Sequence, residues 1–320
     1  MRYTLIESEN SQLYLVGILL VAVALVMGLL TSWRLLTPSV LVSMGFQLPL
    51  IAILSLAQMG PLLTGGPDLS IVSVATLCGV VSATLVQNLT GWYAVPVAIV
   101  AALIVGLLCG AFNAFVIAIL WVPSIIATLG TMIFIQGIVL VITRGRTIAG
   151  FPSSYLMIGQ GRILGFVPVP FVIFLVCLAL MVVLLSRTRY GISVRMLGSN
   201  DVASLFSGVN NRAVIFRTFV LSGFLSSVAA LVLITRFNAA QATYGQGYLL
   251  LTVLACVLGG ISPAGGIGKA IGVLLAVAVL QVVSTSFNLL GFSSHLATAS
   301  WGIILIAVII LNRALFKQQA

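Results

Sequence analysis

RTRYGISVRMLGSNDVASLFSGVNNRAVIFR, residues 187–217, decides how the rest of this chain is read. It holds five of the fourteen Lys and Arg residues and one of the four acids. Residues 167–186 before it are purely apolar or uncharged, and residues 213–235 after it carry Arg217 as their only charge. A polar stretch of this length inside so apolar a chain is a part held in water by a membrane body. It is also patterned. Ser199-Asn200-Asp201 is a helix start, and Val202, Leu205, Phe206 and Val209 form an apolar stripe at helical spacing. Asn210-Asn211 is the expected stop. A short amphipathic helix displayed in water needs a partner for its apolar face, so this loop predicts a docking surface on the cytoplasmic side.

Composition sets the fold class. The chain is 61% hydrophobic and 6% charged, with a mean hydropathy of +1.29. A soluble domain carries about 25% charged residues, so no water-soluble surface can be built here. The apolar runs are helical in length rather than the length of barrel strands, which predicts an all-α, polytopic membrane protein. About ten spans are expected, over residues 13–30, 40–57, 69–85, 93–119, 125–142, 167–185, 214–235, 248–260, 271–287 and 296–311. The eighth is short, and residues 61–67 read either as a loop or as a re-entrant break. The run at 13–30 is long enough to span and is not followed by a small-residue cleavage site, so it reads as a span rather than a cleaved signal.

The net charge of +10 follows topology and not nucleic acid, because the basic residues fall between apolar runs with no aromatic interleaving. With the N-terminus inside, the cytoplasm receives Arg2, the 187–217 cluster, Lys269, Arg313 and Lys317. The outside receives Arg34, Arg144, Arg146, Arg162 and Arg236. The excess places both termini in the cytoplasm, as an even number of spans requires. Residues 144–167 form the largest outside loop, and their Gly, Pro and mixed polarity predict a short structured excursion. Cys78, Cys109, Cys177 and Cys256 each sit inside an apolar run with no His or acid nearby, which predicts neither disulfide nor metal site.

Three motifs interrupt the apolar background. Thr64-Gly65-Gly66-Pro67-Asp68-Leu69-Ser70 holds the one acid at the edge of a span. Asp68 and Ser70 either cap a helix start or mark a broken helix facing a polar solute on the translocation pathway. Pro123–Met132 opens the fifth span and sets Ser124, Thr128 and Thr131 on one helical face with Gly130 nearby, either lining a polar passage or packing on a neighbour. Gly259–Gly268 allows a tight reversal between the eighth and ninth spans. It lacks the Gly-Lys-Ser/Thr of a phosphate loop. With one His, His295, and acids scattered at positions 7, 9, 68 and 201, no catalytic constellation is in view. The chain reads as a transport subunit rather than an enzyme, with no metal site and no cofactor of its own. Its energy must come from a partner.

These motifs carry a resemblance. Gly65-Gly66-Pro67-Asp68-Leu69-Ser70, Pro123–Met132, Gly198-Ser199-Asn200-Asp201-Val202-Ala203 ending at Gly208, and Gly259–Gly268 occur in the order and spacing of the membrane permease subunits of bacterial ABC importers of the ribose/simple-sugar class. The similarity covers about residues 40–312. It implies one transmembrane permease domain over residues 1–320, with a cytoplasmic loop at 187–213 that holds a coupling helix. The coupling residues it implies are Gly198, Asn200, Asp201, Ala203, Leu205, Phe206 and Gly208. The partners it implies are a second permease subunit, identical or paralogous, a cytoplasmic ATPase that binds ATP and Mg, and a periplasmic solute-binding protein. The setting is the bacterial inner membrane and the cargo a monosaccharide or similar small polar solute. The chain departs from the family at Pro67, at Val72 in place of a glycine, and at Leu249-Leu250-Leu251, where an acidic pair often follows Gly247-Tyr248. The competing class is an ion-coupled secondary transporter, which needs ionisable groups within its spans; Asp68 is the only acid available.

Overall fold

The computed structural model describes residues 2–293, 296, 299 and 301–303, with side chains described from residue 11 onward. In chain order its helices are α1 Arg2–Leu30, α2 Pro38–Leu63, α3 Ile71–Asn88, α4 Ala94–Ala118, α5 Ser124–Thr143, α6 Ser153–Gln160, α7 Val169–Arg187, α8 Arg189–Ser199, α9 Asp201–Phe206, α10 Asn211–Phe237, α11 Tyr248–Leu258 and α12 Ala270–Leu289. Four two-residue strands make two small ribbons: β1 Ile148–Ala149 pairs with β4 Ala239–Ala240, and β2 Arg162–Ile163 with β3 Val167–Pro168. The protein is an all-α polytopic membrane protein. Among the described residues, eight helices are long and apolar enough to cross a membrane: α1 to α5, α7, α10 and α12.

The first nine expected spans each fall on one helix, with one physical difference. The eighth, α11, has 11 residues. At 1.5 Å per residue it covers about 16 Å, roughly half of a hydrocarbon core of about 30 Å. The tenth expected span, residues 296–311, lies largely outside the described residues, as do His295, Arg313 and Lys317. At the 61–67 ambiguity, α2 continues through Pro61 to Leu63 before the chain turns over residues 64–70.

α10 is the hub. It packs on α2, α3, α4, α6 and α8, whereas α1 leans on α12 and leaves most of its apolar surface exposed among the described residues. The α4–α10 contact is close because it is made by small residues. Gly106 and Gly110 on α4 sit against the backbone of Gly223 and Phe219 on α10, and a methyl on Gly223 would lie 2.1 Å from the Gly106 carbonyl oxygen. This is the Gly-x-x-x-Gly mode of membrane helix packing, in which the absence of side chains lets two backbones touch.

The 144–167 segment is the structured excursion expected of it. Asn238, in a left-handed conformation at the end of α10, accepts the Phe151 N–H on Oδ1 at 2.8 Å. Gln160 at the end of α6 donates to the carbonyls of Thr235 and Arg236, each at 3.1 Å. Tyr155 is fully buried against Ser82 of α3, and burial pushes its phenol up to about 12. The loop therefore clamps one end of α10 to α3.

Candidate functional site: a glycine platform beneath an exposed helix

Between α7 and α10 the polar segment holds two helices rather than one. α8 precedes the expected helix and begins at Thr188, whose hydroxyl accepts the Gly191 N–H. The chain breaks at Asn200, and Asn200 Oδ1 caps α9 by accepting the Ala203 N–H at 2.8 Å. α9 is six residues long, shorter than the apolar stripe to Val209 predicted. Its end is Ser207-Gly208, with Gly208 at φ +78°. The Asn210-Asn211 stop is corrected: the pair starts the next helix, with Asn210 Oδ1 accepting the Ala213 N–H at 3.1 Å to cap α10. Asn has this double use because its short amide suits both a helix end and a helix start.

Asn211, the first residue of α10, is buried and ties α9 to it. Its Nδ2 donates to the Asp201 carbonyl at 2.8 Å. The Ser204 hydroxyl lies 2.7 Å from that carbonyl and 2.8 Å from Asn211 Oδ1, and donates to one of them at a time. The inner face of α9 is thereby used up on the protein. Its outer face is bare: Leu205 is 55% exposed and Phe206 90%. Asp201 and Ala203 are exposed beside them.

Beneath this loop, four segments that are far apart in sequence meet. Gly198, near the end of α8, lies against the hydrogen bond that Gly266 N–H donates to the Leu63 carbonyl at 3.0 Å. A methyl on Gly198 would stand 1.9 Å from the Leu63 oxygen and 2.4 Å from the Gly266 nitrogen. Arg195 Nη2 donates to the Gly268 carbonyl at 3.1 Å. Gly66 meets Ser124, whose Oγ would lie 1.8 Å from a methyl there. The motifs at 64–70, 123–132, 198–208 and 259–268 therefore build one platform, with glycines where backbones touch. Thr64, Gly66, Trp121, Ser124 and Phe219 line a cavity of about 230 Å³ at its side.

Asp68 anchors the platform to the bundle and is 2% exposed. Its Oδ1 accepts the Ser70 N–H at 2.9 Å and the Ser70 hydroxyl at 2.6 Å, and its Oδ2 accepts the Ser222 hydroxyl of α10 at 2.9 Å. Ser70 Oγ accepts in turn from Asn113 Nδ2 of α4 at 2.8 Å. The Leu69 N–H donates to Thr128 Oγ1 of α5 at 3.1 Å. One turn thus bonds to α4, α5 and α10. Thr128 and Thr131 are buried, and their hydroxyls donate to the carbonyls of Ser124 and Ala127. Gly130 points away from them into open space, so it does not share their face.

Residues 40–312 match the family described as the permease component of branched-chain amino acid transport systems. The chain belongs to this permease family. It is 32% identical over 273 residues to the ribose import permease protein RbsC of Haemophilus influenzae, covering 84% of this chain and 83% of the relative. It is 33% identical over 277 residues to the L-arabinose transport system permease protein AraH of Escherichia coli K12, covering 87% and 83%. The autoinducer 2 import system permease protein LsrD of Yersinia enterocolitica is 31% identical over 287 residues, covering 88% and 86%. No solved structure matches the chain. These relatives support the simple-sugar class of ABC permease rather than the amino-acid class that the broad family description names.

Within the permease, the partners of Asp68 were not foreseen from sequence. Asn113 is a lone amide in a long apolar span, and Ser222 is one of several serines in α10. A buried amide in a membrane helix is itself a signal, because it must find a partner. Asn113 Oδ1 remains a buried acceptor with no donor among the described residues.

Proposed function

We propose that this permease is the membrane subunit of an ATP-driven importer that receives a monosaccharide from a periplasmic binding protein and passes it across the bacterial inner membrane. Both termini lie in the cytoplasm on this reading, with α9 as the coupling helix. ATP and Mg are bound by a partner ATPase, and a second permease subunit, identical or paralogous, completes the pathway. The single observation that carries this is the bare apolar tip of α9, bonded through Asn211 to the start of α10. A force applied at Phe206 reaches α10, and α10 reaches the Asp68 turn through Ser222. The names of the relatives support sugar as cargo. An ion-coupled transporter fits less well, since Asp68 already accepts three hydrogen bonds from the protein.

The experiment is uptake into proteoliposomes that contain the permease, its ATPase and the loaded binding protein. Sugar is expected to accumulate only with ATP, and accumulation driven by a proton or sodium gradient without any ATPase overturns the reading. An aromatic anchor in an interface commonly contributes about 2 kcal/mol or more, so Phe206→Ala is expected to lower ATPase affinity roughly thirtyfold. Membrane insertion should be intact, and ATP hydrolysis should no longer respond to the loaded binding protein. Unchanged stimulation in that variant places the docking surface elsewhere, at the 261–268 turn.

A further inference from the structure

At the end of α10 away from α9, the segment between β4 and α11 folds back into the bundle. The Tyr244 carbonyl accepts the Thr76 hydroxyl at 3.2 Å, and Gly245 rests against Val72 at the start of α3. Above this floor is a cavity of about 430 Å³ walled by Phe237, Thr243, Tyr244, Gln246, Tyr248 and Trp301. The Phe237 and Tyr244 rings stand 5.7 Å apart, centre to centre. The buried indole N–H of Trp301 has no acceptor among the described residues. Thr243 and Gln246 are exposed, so the cavity opens outward.

We propose that this cavity is a monosaccharide-binding site of the permease, a receiving station for the solute at the face opposite α9. Four aromatic rings offer faces for the apolar C–H side of a sugar ring. The Gln246 amide, the Thr243 and tyrosine hydroxyls and the Trp301 N–H offer bonds to its hydroxyls. A pentose or hexose of about 10 to 12 heavy atoms fits such a volume, and few convergent polar groups on an apolar wall are the usual make-up of a small-molecule site. A sugar hydroxyl that accepts the Trp301 N–H gives this buried donor a partner that no described residue supplies. The floor gives the site a direction: Gly245 lies on Val72, two residues beyond the Asp68–Ser70 turn. Leu249-Leu250-Leu251 brings no charge to the start of α11, which leaves recognition to the aromatic residues and to Gln246.

The inference rests on the sugar-permease reading, and its test separates the two. The full chain in nanodiscs, without partners, is titrated with D-ribose, L-arabinose, D-fructose and D-glucose while tryptophan emission is followed. At least one sugar is expected to give a saturable change that Trp301→Phe abolishes and Trp92→Phe leaves intact. Tyr248→Ala and Gln246→Ala are each expected to raise the midpoint about tenfold. Gln246 lies in an exposed turn, so that variant tests the site even if Tyr248→Ala fails to fold. Labelling of Thr243→Cys by an impermeant maleimide should slow in the presence of the same sugar. The proposal is overturned if no sugar gives a saturable response, if the response survives Gln246→Ala and Tyr248→Ala, or if only lysolipid protects Thr243→Cys. ATP-driven sugar uptake with unchanged KM in Gln246→Ala and Tyr248→Ala removes the site and keeps the sugar-permease reading. Absence of sugar uptake by the unaltered complex removes that reading itself.

Discussion

Asp68→Leu is expected to cut the yield of folded permease and to abolish uptake, whereas Asp68→Asn keeps most of both. The carboxylate accepts three donors in a buried turn: the Ser70 N–H, the Ser70 hydroxyl and the Ser222 hydroxyl. Leucine satisfies none of them. A buried donor left without a partner costs about 1 to 3 kcal/mol, so three of them give a loss of about 3 kcal/mol or more, a large part of a marginal stability. An asparagine can keep Oδ1 on both Ser70 donors and turn its NH₂ towards Ser222, whose hydroxyl then accepts instead of donating. The net loss is about 1 kcal/mol. The measurements are monodisperse yield, thermal midpoint in detergent and ATP-driven uptake. If Asp68→Leu matches the unaltered protein in all three, the turn is not an anchor. If Asp68→Asn folds normally but does not transport, the charge itself is needed, and the pathway role outweighs the structural one.

Legibility in the sequence followed the range of the interaction. Spans were legible because their signal is local: about twenty apolar residues in a row can only be a membrane helix or a deeply buried one. The polar loop was legible for the converse reason. The Asn210-Asn211 error shows the limit of local signals. An Asn pair suits both the end of α9 and the start of α10, and the choice was made by Gly208, whose φ of +78° had already ended α9. α8 went unread because its sequence, with Gly191 and Gly198 inside it, is a poor helix former and draws its stability from contact. Gly191 lies on the Leu185 backbone, and the Tyr190 hydroxyl is 2.8 Å from that of Thr218 on α10. The Asp68 turn was legible as a special place but not as a junction, since nothing in the spacing of residues 68, 113, 128 and 222 shows that they meet. The same holds for the meeting of the four glycine-bearing motifs, which is a fact of tertiary packing alone.

The two glycines on either side of α9 should respond very differently to the same methyl group. Gly198→Ala is expected to be among the most damaging single changes in the chain. The new carbon would stand 1.9 Å from the Leu63 carbonyl oxygen and 2.4 Å from the Gly266 nitrogen, both backbone atoms already joined by a hydrogen bond. No side chain can rotate out of the way, so either α8 lifts off the platform or the 259–268 reversal opens. Overpacking of this kind costs about 1 to 3 kcal/mol where neighbours can yield, and more where they are backbone. Gly208→Ala meets nothing within 4 Å and has only its positive φ to contend with. That strain is about 1 to 2 kcal/mol and is borne at a surface turn. The first variant should therefore lose folded yield and expose residues 187–213 to limited proteolysis. The second should insert, resist proteolysis and keep measurable uptake, at a modestly lower thermal midpoint. Equal proteolytic resistance in the two would mean that α8 does not rest on the 63–66 and 264–266 backbones as closely as the structure has it. The platform could then no longer be what holds α9 in place.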